Sequence, residues 1–233
     1  MTTKLCVRSA VAGIALVVAA FALSGCGGGN FAVKNLAKTD VDLVADAHYQ
    51  TSQQLLRDLT TKLYRRNPRE LAKTPRATVE QRVEQLFAVP GVQQFDELRG
   101  VHGVAAMELA SDPDYAGDRV FATMFGLNTM LREAYGDKSE FFIFDELDQQ
   151  KLYHSARNIE ILVWRLSTRR DSGGKPLLLT NSLPGEPPNL SFERRFGKLI
   201  SIQDMLARII AQKQKRLINV VTHTLASMAF IPL

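Results

Sequence analysis

The chain has 233 residues, 45% of them hydrophobic and 23% charged, with a formal net charge of +5. That balance excludes wholesale disorder and a polytopic membrane protein. It allows one globular domain with a sizeable core.

Lys4 and Arg8 form a short basic start, and Ala10 to Leu23 is a run of fourteen residues broken only by Gly13. As a helix the run would span about 21 Å, short of the roughly 30 Å hydrocarbon core of a bilayer. A basic start followed by so short an apolar run fits a secretory signal better than a membrane span. The run ends in Leu23-Ser24-Gly25-Cys26.

Those four residues resemble the lipobox of bacterial lipoproteins, a Leu, two small residues and a Cys. The small side chains suit the peptidase, and the thiol carries the lipid. The resemblance covers residues 1–26 alone. It implies cleavage before Cys26, a diacylglyceryl thioether on Cys26 as the lipid attachment, and acylation of the new amino terminus. Two alternatives remain at this point: a plain signal peptide cleaved nearby, and a retained N-terminal anchor. Lipoproteins with Asp after the Cys tend to stay in the inner membrane. Here the residue is Gly27, so the resemblance implies the periplasmic face of the outer membrane.

The chain has two cysteines, Cys6 and Cys26. One leaves with the signal and the other takes lipid, so the mature domain has neither disulfide nor thiol chemistry. Loss of residues 1–25 removes Lys4 and Arg8 and no acid. Residues 26–38, beginning Gly27-Gly28-Gly29-Asn30, read as a flexible tether. Residues 39–233 read as a single all-α domain of about six to seven helices, the last of them long.

Thr39-Asp40 offers an N-cap, and Val41, Val44, His48, Thr51, Leu55, Leu59 and Leu63 follow at helical spacing. Asn67-Pro68 starts a short helix. Thr78 and Gln81 make a capping box ahead of Val79, Val83, Leu86 and Phe87, and Pro90-Gly91 ends that piece. Val104 to Ala110 reads as helix, and Ser111–Asp114 as a turn or cap. A helix from Asp118 carries Phe121, Met124, Phe125, Asn128, Leu131 and Tyr135, closes at Gly136, and holds Gly126 where another helix crosses closely. Phe141–Phe144 is a short strand or a buried approach to the next helix. Asp145 and Asp148 read as the cap of a helix carrying Leu152, Ala156, Ile159, Val163 and Leu166. The rival is a hairpin pairing 161–168 with 177–179 through Gly173-Gly174. Residues 171–190 read as a long loop. The last helix starts at Ser191, is open to a kink at 197–201, and then runs from Ile202 to Ala229 with Leu206, Ile210, Leu217, Val221, Leu225 and Met228 on one face.

Chemistry is sparse. His48 lies on an apolar stripe and reads as a core or interface histidine; His154 reads as solvated beside Asn158 and Arg165. His223 lies off the main stripe of the last helix. His102…Glu108 and His154…Glu160 repeat a His-x5-Glu spacing. Six residues place the Glu about 120° round the helix from its His, so neither pair chelates alone. Asp42 and Asp46 share a face and read as charge complementing a helix N-terminus. Arg65-Arg66 and Arg169-Arg170 suit helix C-termini, while Arg194-Arg195 and Lys213, Lys215 and Arg216 add further positive charge. No nucleophile elbow, zinc helix or phosphate loop occurs.

The expected sites are therefore the Cys26 lipid alone, with no catalytic, cofactor or metal residue. The expected function is an outer-membrane-anchored scaffold, adaptor or assembly factor, similar in layout to pilotins and other helical assembly lipoproteins. The alternative is an envelope enzyme or a small-ligand or metal binder. Expected partners are the membrane and an envelope protein on the 191–229 helix, where Ile209, Ile218 and Val220 lie off the main stripe; nucleic acid is not expected.

Overall fold

A computed structural model describes residues 37–87, 94–182, 185–219 and 229–233. The lipobox with Cys26, Pro90-Gly91, His223, Val220, Val221, Leu225 and Met228 lie outside these residues.

Seven α-helices make up the domain among the described residues: α1 (Asp40–Arg66), α2 (Pro68–Leu71), α3 (Val79–Phe87), α4 (Gly103–Ser111), α5 (Arg119–Ala134), α6 (Gln149–Thr168) and α7 (Ser191–Gln214). A short 3-10 turn covers Asp96–Leu98. No strand occurs among the described residues; a single antiparallel bridge joins Arg170 and Pro176. Lys38–Leu233 is one compact unit.

Four of the predicted N-caps form, whereas Asn67 makes no side-chain cap bond ahead of α2 and Pro68 alone marks that start. Thr39 and Asp42 cap α1 reciprocally, and Thr78 and Gln81 exchange hydrogen bonds of 2.9 and 3.2 Å ahead of α3. Asp118 accepts from the Phe121 amide, and Asp148 from the Gln150 and Lys151 amides. Each satisfies amides that the first helical turn leaves without partners. Gly136 takes a φ of +65° just past α5, where a side chain would be strained.

Helix α5 is the centre of the domain. Its residues from Arg119 to Leu131 are all buried, so it is enclosed on every side rather than along one stripe. Leu56, Leu59 and Leu63 of α1, Ile159 and Leu162 of α6, and Phe192, Phe196 and Leu199 of α7 join its core. Phe95 meets the Phe121 and Phe125 rings edge-on at 4.9 and 5.2 Å. A second apolar cluster joins Ala45, Tyr135, Phe141, Leu152, Leu206 and Ile210. Gly126 is where α4 crosses: a Cβ there would lie 2.7 Å from the Gly103 carbonyl oxygen and 2.8 Å from the Met107 nitrogen.

Two expectations need correction. The first half of α1 buries Ala45 and Ser52 and exposes Thr51, about one position round from the predicted stripe. The expected helix over 161–168 forms, and the rival hairpin is reduced to a short turn after it, where a bridge joins Arg170 and Pro176 and the Leu177 amide donates to the Arg169 carbonyl. The last helix is continuous through Gly197 but ends at Gln214, not Ala229. Lys215 adopts left-handed φ of 53°, and the Arg216 amide returns to the Ala211 carbonyl at 3.0 Å, closing the helix as a Schellman-type cap does. Leu217, read as part of the core stripe, is 89% exposed. The apolar pattern continues past the point where the backbone turns.

Candidate functional site

The acids and histidines marked in the sequence are held in separate structural contacts. The Asp42 carboxylate accepts from the Thr39 amide and hydroxyl. Asp46 pairs with Lys38 and accepts from the Phe141 amide at 2.8 Å, fastening the 141–147 segment to α1. The two carboxylates thus face different partners. His48 is half-buried, and burial lowers its pKa.

The two His-x5-Glu stretches do not assemble a common site. Arg165 grips Glu108 through two bonds of 2.7 and 3.1 Å, while Glu160 meets Arg157 at 3.0 Å. His102 is the exposed residue just before α4. Among the described residues, no three His, Cys, Asp or Glu side chains come together as a metal group.

His154, read as solvated, faces the C-terminal tail instead. Its Nδ1 lies 3.1 Å from the Pro232 carbonyl, and its Nε2 lies 2.8 Å from Gln150. One turn on, Asn158 is fully buried and donates to the Ile231 carbonyl at 2.8 Å while accepting from the Ile231 amide at 2.7 Å. Arg165 lies over the Phe230 ring at 4.1 Å. The extended tail has no strand beside it, so a side-chain amide supplies the missing ladder partner. Asn67 does the same for Leu179, with bonds of 3.1 and 2.7 Å, and so seats the 171–182 part of the long loop. Neither clamp was legible in sequence, because a lone Asn reads as a cap or a turn.

A buried charge network is also unforeseen. Arg82 bonds both oxygens of Glu97 at 2.8 and 2.9 Å, Asp118 at 3.2 Å and the Tyr64 hydroxyl at 3.2 Å, and stacks 3.6 Å over Phe121. The Tyr64 hydroxyl in turn donates to Asp118 at 2.7 Å. Burial raises the Asp118 pKa against the opposing pull of the Phe121 amide, Tyr64 and Arg82. Burial would lower the Arg82 pKa, but Glu97 and Tyr64 reverse it, so the cation holds its proton more firmly. Nearby, burial and then Glu97 push Tyr115 up to about 12. With only 3% and 1% of the Arg82 and Asp118 side chains exposed, the network welds α1, α3 and α5, and Glu97 is its part-exposed edge.

Two surface features remain. A cleft of about 570 Å³ lies between the end of α6 and the long loop, lined by Leu166, Arg170, Leu178, Thr180, Glu186 and Leu190 among others. Arg66 ties its rim through Glu186 at 2.6 Å, and Arg69 bonds the Pro176 and Leu177 carbonyls at 2.8 Å. The Arg65-Arg66 pair thus does more than complement a helix end. The second feature is the outer face of α7, where Arg194, Lys198, Ser201, Met205, Arg208 and Gln212 are exposed at alternating spacings of four and three. Of the off-stripe residues, Ile209 is half-buried and Ile218 packs against the second apolar cluster.

No helix among the described residues is long and apolar enough to cross a membrane. No family model, curated protein or solved structure matches the chain.

Proposed function

We propose that the protein is a lipid-anchored helical scaffold or adaptor of the bacterial cell envelope. Cys26 holds it to the outer membrane, with the domain in the periplasm. The observation that carries the anchor is Leu23-Ser24-Gly25-Cys26 closing a basic and apolar leader. The scaffold role draws support from the site chemistry. Asp42, Asp46, Glu108 and Glu160 each engage a structural partner, and Arg82 and Asp118 are buried against one another.

The outer face of α7 is the surface we assign to a protein partner. Its exposed Arg194, Lys198 and Arg208 around Met205 suit an acidic protein surface. Cross-linking in intact envelopes, followed by detergent extraction, tests this. The wild type is expected to carry one dominant protein adduct that disappears in a Met205→Glu, Arg208→Glu variant. Equal adducts in both would refute the assignment. Cys26→Ser is expected to leave acyl labelling at background and move the chain out of the membrane fraction.

The cleft beside α6 favours a second reading, a small-ligand binder, because its volume falls in the range of ligand pockets. That reading expects a small molecule to co-purify with the folded chain and to be lost on a Leu178→Arg substitution.

A further inference from the structure

Six large apolar side chains are markedly exposed among the described residues: Leu43, Ile143, Phe144, Leu190, Met205 and Leu217. Four of them share one end of the domain. Leu43 lies in the first turn of α1. Ile143 and Phe144 lie on the 141–147 segment, which the Phe141 amide fastens to Asp46 of α1. Leu217 follows α7, where its carbonyl and that of Asn219 approach Gln149 and Gln150 at the start of α6. Phe144 is 94% exposed and Ile143 53%. An apolar tip so far out in water gains nothing from the fold.

The tip is held rather than slack. Asp145 accepts from the Phe142 amide at 2.9 Å, returns its own amide to the Phe142 carbonyl at 2.7 Å, and pairs with Lys138. Lys38 lies over the Phe142 ring at 4.6 Å. The turn therefore projects Phe144 outward on a braced base.

Lys38 is also the first residue of the compact unit, so the chain from Cys26 joins the domain at this same end. Twelve peptide steps separate the two residues, and twelve steps of any chain reach at most about 43 Å. Helix α1 alone runs about 40 Å away from that point. A lipid on Cys26 therefore keeps the Phe144 end beside the bilayer, at an effective concentration where a weak contact suffices.

We infer that Ile143 and Phe144, flanked by Leu43 and Leu217, form a membrane-seating surface that inserts its aromatic tip into the interface of the bilayer holding the Cys26 acyl chains. The inference rests on the lipoprotein reading. The occupant is the apolar edge of the bilayer, which Phe144 and Ile143 meet first: Lys38, Lys138 and Lys213 at this end pair with Asp46, Asp145 and Asp42, and the exposed Lys215 and Arg216 beside Leu217 add only a flanking contact to headgroups. Seating accordingly needs no anionic lipid and persists at high salt. It sets the domain upright, with the loop 171–190 end turned away from the membrane.

The test uses the full processed chain, extracted in detergent and reconstituted into phosphatidylcholine vesicles with or without an anionic lipid. Trp164, the only tryptophan, is replaced by Phe, and a reporter indole is placed by Phe144→Trp or, as a control, Met205→Trp. Both positions are exposed, so the fold is not at stake. The indole of the Phe144→Trp variant should be blue-shifted and lose more than half its emission to lipids spin-labelled near the headgroup, already in vesicles without anionic lipid and at high salt. The indole of the Met205→Trp variant should resist the same quencher. Equal, weak quenching of both variants in an acylated chain overturns the inference and leaves the anchor standing. A blue shift without lipid quenching, accompanied by dimers on cross-linking, assigns the tip to a second copy and also overturns it. An unacylated mass removes the anchor and the inference together.

Discussion

Replacing Arg82 by Met probes the energetics of the fold most sharply. The side chain is nearly solvent-free, and Met keeps much of its stem over Phe121 while removing the cation. Asp118 is then left buried with only the Phe121 amide and the Tyr64 hydroxyl, whereas Glu97 can turn to water. Removing one partner of a buried ion pair typically costs about 3–5 kcal/mol, because the remaining charge is uncompensated. For a domain of this size that corresponds to a fall in Tm of roughly 6–20 °C. The sign of the pH dependence follows from Asp118. Burial already raises its folded pKa, and loss of Arg82 raises it further, so the folded state binds a proton that the unfolded state releases down to about 3.9. The deficit is therefore largest near neutral pH and shrinks as pH falls through the folded pKa. Asp118→Asn in the same background should recover much of the loss, since Asn still caps α5 and carries no charge. Thermal melts of the single and double variants at neutral and acid pH measure this. A loss under about 1 kcal/mol, or no rescue by Asn, would refute the reasoning.

Gly126→Ala gains about 1 kcal/mol of helix propensity but drives a methyl into the α4 backbone, so a net loss of about 1–2 kcal/mol is expected in chemical denaturation, with no loss pointing to a looser crossing. Asn158→Ala strips both bonds from Ile231 and should cost about 1–3 kcal/mol and expose residues 229–233 to carboxypeptidase, whereas unchanged digestion would show that Phe230 alone seats the tail. Leu206→Ala should cost about 2–5 kcal/mol, while Leu217→Ala should leave the melt within about 0.5 kcal/mol, even though both fall on the same apolar stripe in the sequence.

That last contrast shows where the sequence stops being informative. Periodicity and caps place helix starts well, because Thr39, Thr78, Asp118 and Asp148 act on amides two or three residues away. Helix ends depend on a residue accepting left-handed φ, and Lys215 gives no such sign, so the helical pattern of α7 reads on past its end. The central element is hidden for a related reason. Length points to the last helix, but enclosure is set by neighbours, and it is the shorter α5 that is buried on all sides. Gly126 is legible because close backbone approach demands the smallest residue. The Asn67 and Asn158 clamps and the Arg82 network join residues 15 to 112 positions apart and leave no local pattern. The proposed anchor is the reverse case, since the motif that implies it is fully local in residues 1–26.

The central claim is that Cys26 carries the protein's lipid and begins the mature chain. Mass spectrometry of the N-terminal peptide of protein extracted from envelopes tests it most directly. The account predicts a peptide starting at Cys26, with a diacylglyceryl group on sulfur and an acyl group on its amino nitrogen. A peptide that starts elsewhere, or contains Cys26 unmodified, would contradict it.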